Sequence, residues 1–74
     1  MNRIKEFRKK KKLSIYKLAE STGLTASYIS NLENGHKTNP TKDVMEKIAA
    51  ALGQTVPKIF YPEKEWVNFD SWKN

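Results

Sequence analysis

Cysteine is absent from the 74 residues of this chain. That excludes a disulfide scaffold and a cysteine-ligated zinc site, and it is compatible with a reducing cytoplasm. Histidine occurs once, at His36, in a polar stretch with no Cys, His or carboxylate at ligand spacing, so no metal and no cofactor is expected. No apolar run approaches the length of a membrane span or a signal-peptide core, because the basic N-terminus leads into a charged, interrupted pattern. A soluble, cytoplasmic protein without membrane attachment is expected. Paired carboxylates in an enclosed apolar setting and a glycine-rich phosphate loop are missing too, so no catalytic residue and no small-molecule substrate is nominated. Strand signals and internal repeats are also lacking, which leaves an all-α domain near the lower size limit for a core without a metal or disulfide.

What is present is concentrated between Leu13 and Gly35, LSIYKLAESTGLTASYISNLENG. Ser14 is placed to cap a helix, and Leu13 before it is spaced to staple onto Leu18, the fourth helical residue. Leu18 and Thr22 share a face, and Ala19 beside them has a side chain small enough for a second helix to approach. Gly23 supplies the left-handed conformation that turns the chain sharply without a Cβ clash. Thr25 and Leu24 repeat the capping and stapling device, with Ile29 as the partner of Leu24. Ile29 and Leu32 then face inward, leaving Ala26, Ser27, Tyr28, Ser30, Asn31 and Asn34 on the outer face. Two short helices joined in this way form a helix-turn-helix, a device for entering the major groove of DNA.

Charge follows the same division. Residues 1–37 carry nine Lys or Arg against three acidic residues, whereas residues 38–74 carry five of each, so the whole net charge of +6 sits with the motif. A basic half invites a polyanion, with affinity that falls as salt rises. Flanking elements complete the domain. Helix 1 is expected over about Asn2 to Lys11, with Ile4, Phe7 and the alkyl stem of Lys11 inward. After a polar HKTNP loop, Thr41 caps helix 4, in which Val44, Met45, Ile48, Ala49 and Leu52 recur with helical period until Gly53. Thr55 caps a short helix 5 with Val56, Ile59 and Phe60 inward, and Pro62 closes it.

On LAESTGL, YISNLENG, TNPT and the apolar helix ending AAALG, the chain resembles the Cro/repressor type of helix-turn-helix domain over residues 2–61. This is the five-helix module of phage repressors and many small bacterial regulators. The resemblance implies that Thr25, Ala26, Ser27 and Asn31 reach bases. Asn31 is the strongest of these, because its amide pairs with both N6 and N7 of adenine for about 1–3 kcal/mol of discrimination. Phosphate contacts are implied for Tyr28 and Asn34, and for the loop residues His36, Lys37, Thr38 and Asn39 through side chains and backbone N–H groups. Arg8 and Glu33 occupy positions that commonly form an ion pair, which would hold Arg8 where it also touches phosphate. The resemblance thus implies double-stranded DNA as the partner. It also implies a bacterial or phage-encoded regulator, repressing as a homodimer on an inverted repeat by occluding a promoter.

Two departures from the pattern bear on this. The first position of helix 2, often a phosphate-binding Gln, is Ile15; either Tyr16 or Lys17 takes over that role, or Ile15 contacts sugar and thymine methyl groups. Where a Gly often ends helix 1 stands Lys12, in a run of lysines from Lys9 that is assigned general attraction to DNA. Tyr28 is open to a second reading, covering the Gly35 turn. The segment 62–74 carries Trp66, Phe69 and Trp72 at every third residue, aromatics that are poorly suited to water. Three roles are open for it: packing on the domain's own core, a dimer interface, or a site for a regulatory protein. The last makes an antitoxin-like or partner-controlled interaction module the alternative function.

Overall fold

Each helix begins where a side-chain oxygen can satisfy an amide that the first helical turn leaves unpaired. The computed structural model describes residues 2–37 and 39–62. In α1 (Ile4–Lys10) the oxygen belongs to Asn2, whose Oδ1 accepts from the Ile4 amide at 3.1 Å. Ser14, Thr25, Thr41 and Thr55 cap α2 (Ile15–Thr22), α3 (Ala26–Glu33), α4 (Lys42–Leu52) and α5 (Val56–Phe60). Their hydroxyl oxygens accept from the amides of Lys17, Tyr28, Val44 and Lys58 at 3.0, 3.0, 3.2 and 3.3 Å. The described residues contain five helices and no strand, the all-α architecture expected.

Three of the five helix ends, those of α1, α3 and α4, share one closure. At the end of α3 the His36 amide reaches back to the Asn31 carbonyl and the Gly35 amide to that of Leu32, with Gly35 at φ 80°. At the end of α4 the Gln54 and Gly53 amides do the same to Ala49 and Ala50, with Gly53 at φ 68°. These are Schellman closures, for which glycine is the usual left-handed residue. Helix α1 closes in the same way, through Leu13 to Arg8 and Lys12 to Lys9. Its left-handed residue, however, is Lys12 at φ 58°. A lysine there carries a steric cost of about 1–2 kcal/mol that a glycine would not.

The core draws from every helix. Ile4, Leu18, Ile29, Leu32, Ile48 and Ile59 are fully buried, Leu52 nearly so, and Phe7, Ala19 and Ala49 join them. α2 packs on α3 and α4, α4 on α5, and α1 on α4 and α5. Thr22 is buried in the turn of the motif, where its hydroxyl donates to the Leu18 carbonyl at 2.9 Å and accepts from the Leu24 amide at 3.3 Å. Some expected core positions sit only at its margin: Val44, Met45, Val56 and Phe60 are half-buried. Lys11 is a correction. Helix α1 stops at Lys10, so Lys11 leaves the inward face, is exposed, and directs its Nζ to Gly53 at the end of α4. Met1, Thr38 and residues 63–74, with Trp66, Phe69 and Trp72, lie outside the described residues.

Candidate nucleic-acid interface

A helix that reads a groove must be held rigidly from behind, and α3 is anchored mainly at its C-terminal end. The Asn31 carbonyl accepts from the amides of His36 at 2.9 Å and Lys37 at 3.2 Å. The Leu32 carbonyl accepts from Gly35 and also from the side-chain amide of Asn2, at 2.7 Å. The Glu33 carboxylate takes both a 2.6 Å bond from Arg8 Nε and a 3.2 Å bond from Arg8 Nη2, a bidentate pair. Arg8 Nη1 donates in turn to the Leu13 carbonyl at 2.8 Å, so one guanidinium fastens α1, the α1–α2 turn and α3 together. The pair is well shielded, with side-chain exposures of 12% for Arg8 and 4% for Glu33.

Asn2 has no counterpart among the residues singled out from sequence. Its two amide atoms divide the work: Oδ1 starts α1 and Nδ2 holds the end of α3. An asparagine two residues ahead of the first helical position is a local signal for the first bond only.

The opposite face of α3 is open. Thr25 and Ser27 are exposed, Ala26 is half-buried, and the half-buried Asn31 side chain has no hydrogen-bond partner among the described residues. The Thr25 oxygen caps the helix as acceptor, which leaves its O–H to donate outward. Thr25 and Ser27 thus stand exposed at the start of α3, Asn31 is half-buried in its last turn, and Ala26 packs partly against the core. Tyr28 is half-buried and packs against the core, whereas Asn34 is exposed and its Nδ2 lies 3.4 Å from Ser30 Oγ.

On the flanks, Tyr16 is 74% exposed at the start of α2 and Ile15 beside it packs against the core. That packing accounts for an apolar residue where a phosphate-binding one is common. Lys17 is exposed, with its Nζ 3.2 Å from Glu20. In the loop after α3, His36, Lys37 and Asn39 are exposed, but the amides of His36 and Lys37 are spent on Asn31. What these two residues present outward is their side chains. Lys9, Lys12 and Lys37 form no ion pair among the described residues, so their charge is uncompensated locally. No described helix is long and apolar enough to cross a membrane.

Known proteins resemble this chain in sequence and fold. The helix-turn-helix family profile matches residues 4–59. The transcriptional regulator SinR of Bacillus licheniformis is 36% identical over 97% of this chain and 68% of its own length. For the SinR of Bacillus subtilis the figures are 38%, 92% and 60%, so this chain spans about two thirds or less of these regulators. Among solved structures, SinR in complex with DNA aligns with a TM-score of 0.71 at 42% identity, over 73% of this chain and 86% of that one. A complex of SinR with the SinI protein aligns with a TM-score of 0.77 at 36% identity, over 93% and 72%. With its capped helices, its glycine turn and its anchored α3, the chain belongs to the helix-turn-helix family of the Cro/repressor type.

Proposed function

We propose that this protein is a sequence-specific regulator of transcription that binds double-stranded DNA through α3 and represses by occluding a promoter as a homodimer. The observation that carries the reading is the contrast between the two sides of α3. The inner side is fixed by Asn2, Arg8 and the Schellman closure, and the outer side offers Thr25, Ala26, Ser27 and Asn31. Asn31 reads an adenine, Ser27 bonds base edges, and Ala26 meets a thymine methyl. Tyr16, Lys17, Tyr28, Asn34, His36, Lys37, Thr38 and Asn39 supply phosphate contacts that set register without carrying sequence. Arg8 serves chiefly as a positioning residue, since its donors are engaged by Glu33 and Leu13. The related SinR crystallised with DNA supports this use of the fold. The protein acts in the cytoplasm, without catalysis.

Selection from a randomised duplex library at near-physiological salt tests the proposal, because nonspecific phosphate attraction is then weak. The expected result is an inverted repeat with half-sites about 34–36 Å apart, one helical turn. Well-folded protein that enriches no motif would overturn it. A second reading, control by a protein partner, is favoured by the likeness to SinR in its complex with SinI, which extends over 93% of this chain. Such a partner would lower the affinity for the selected site in a titration.

A further inference from the structure

An apolar groove of about 250 Å³ opens where the end of α3, the start of α4 and the end of α5 meet. Leu32, Pro40, Met45, Phe60 and Tyr61 supply apolar walls, and the exposed Lys37 is a cation in the lining. Pro40 and Met45 stand on either side of the Thr41 cap at the positions of a hydrophobic staple. The Tyr61 hydroxyl reaches Met45 Sδ at 3.6 Å, which ties the two sides of the groove together. The volume is below the ~300–1,000 Å³ of small-ligand pockets and suits one large side chain.

The chain itself carries such a side chain a few residues beyond the groove wall. Phe60 and Tyr61 are wall residues, and the sequence continues from Pro62 through Glu63, Lys64 and Glu65 to Trp66. Four residues span at most about 14 Å, so Trp66 cannot travel far from the wall that precedes it. Lys37 has no ion pair among the described residues, and Glu63 and Glu65 lie in the connecting stretch. A tether this short also sets an effective concentration in the millimolar range, well above that of a second copy in dilute solution. We propose that the groove is the seat of this chain's own Trp66, with the acidic connector set against Lys37. The seated indole covers one side of the α3–α4 loop that carries His36, Lys37 and Asn39. This inference does not rest on the DNA-binding reading, with which it shares only Lys37.

Both tryptophans of the protein, Trp66 and Trp72, follow the groove-lining residues in sequence, so fluorescence of the full chain with Trp72→Phe reports Trp66 alone. The expected result is blue-shifted emission, with acrylamide quenching several-fold weaker than in the denatured chain and unchanged on dilution. Met45→Glu should expose the indole, and Lys37→Glu, on the surface and so harmless to folding, should weaken the shielding as well; circular dichroism verifies the helices. Solvent-exposed emission in the parent chain would overturn the proposal. So would shielding that is lost on dilution, which would assign the groove to a second copy, or shielding that survives both substitutions, which would place the indole elsewhere.

Discussion

Replacing Glu33 by alanine removes the carboxylate and leaves the Arg8 guanidinium without its bidentate partner. With 12% and 4% exposure, and contacts of 2.6 and 3.2 Å, the pair belongs with shielded ion pairs, not surface ones. Breaking a buried pair from one side costs about 3–5 kcal/mol, because a charge is left in a site with little water. The lower figure is appropriate here, since Arg8 keeps its bond to the Leu13 carbonyl and retains some access to solvent. A domain of this length is stable by about 4–11 kcal/mol in total, at 0.05–0.15 kcal/mol per residue. A loss of about 3 kcal/mol would thus lower Tm by roughly 12–24 °C. Urea denaturation followed by circular dichroism measures it, with an unchanged slope confirming that stability alone has moved. A loss under about 1 kcal/mol would refute the reasoning, since that is what an exposed pair contributes. The double replacement Arg8→Met with Glu33→Leu should recover part of the loss. Recovery is incomplete because the Leu13 carbonyl then loses a donor.

Asn31→Ala should cost about 1–3 kcal/mol at a single base pair of each half-site and leave nonspecific affinity and Tm nearly unchanged, as its side chain makes no hydrogen bond among the described residues. A uniform loss across sequences in a binding selection would rule out base reading. Lys12→Gly should stabilise the fold by about 0.5–1 kcal/mol, the left-handed strain of about 1–2 kcal/mol less the added flexibility of glycine; a lower urea midpoint would refute it. Lys37→Ala should reduce the slope of log affinity against log salt by about 1 if Lys37 meets a phosphate, and an unchanged slope would remove it from the interface. Hydrogen bonds from Arg3, and then Lys10, hold the Glu6 carboxyl down at about 2, from an ordinary 4.5. Its folded pKa is depressed, so its contribution is fully present above about 4.5 and is lost as pH falls towards 2. Glu6 is exposed, so the effect on stability is slight; an NMR titration midpoint near 4.5 would contradict the assignment.

The helices and the turn of the motif were legible in sequence because they are set by local chemistry. A hydroxyl caps the amide three residues on at Ser14, Thr25, Thr41 and Thr55, and apolar residues recur with the helical period. Gly23, Gly35 and Gly53 turn the chain where only glycine does so without strain. The polar outer face of α3 follows from the same periodicity, whereas the choice of its candidate base-reading residues came only from the family resemblance. Arg8 and Glu33 were paired only through the family resemblance, since nothing local connects residues 25 apart. Asn2 could not be linked to the Leu32 carbonyl at all, a contact 30 residues distant that exists only once α1 lies beside the end of α3. Lys12 in a left-handed turn runs against its own propensity, in a closure held by the bonds of Lys12 to Lys9 and of Leu13 to Arg8. The amides of His36 and Lys37 were expected to face a phosphate, and the local closure at the end of α3 gave them to Asn31 instead. Sequence by itself thus determined what each segment becomes. Only the tertiary structure decided which polar groups are consumed in bracing α3 and which stay free to bind, because hydrogen-bond partners are allotted by proximity in space.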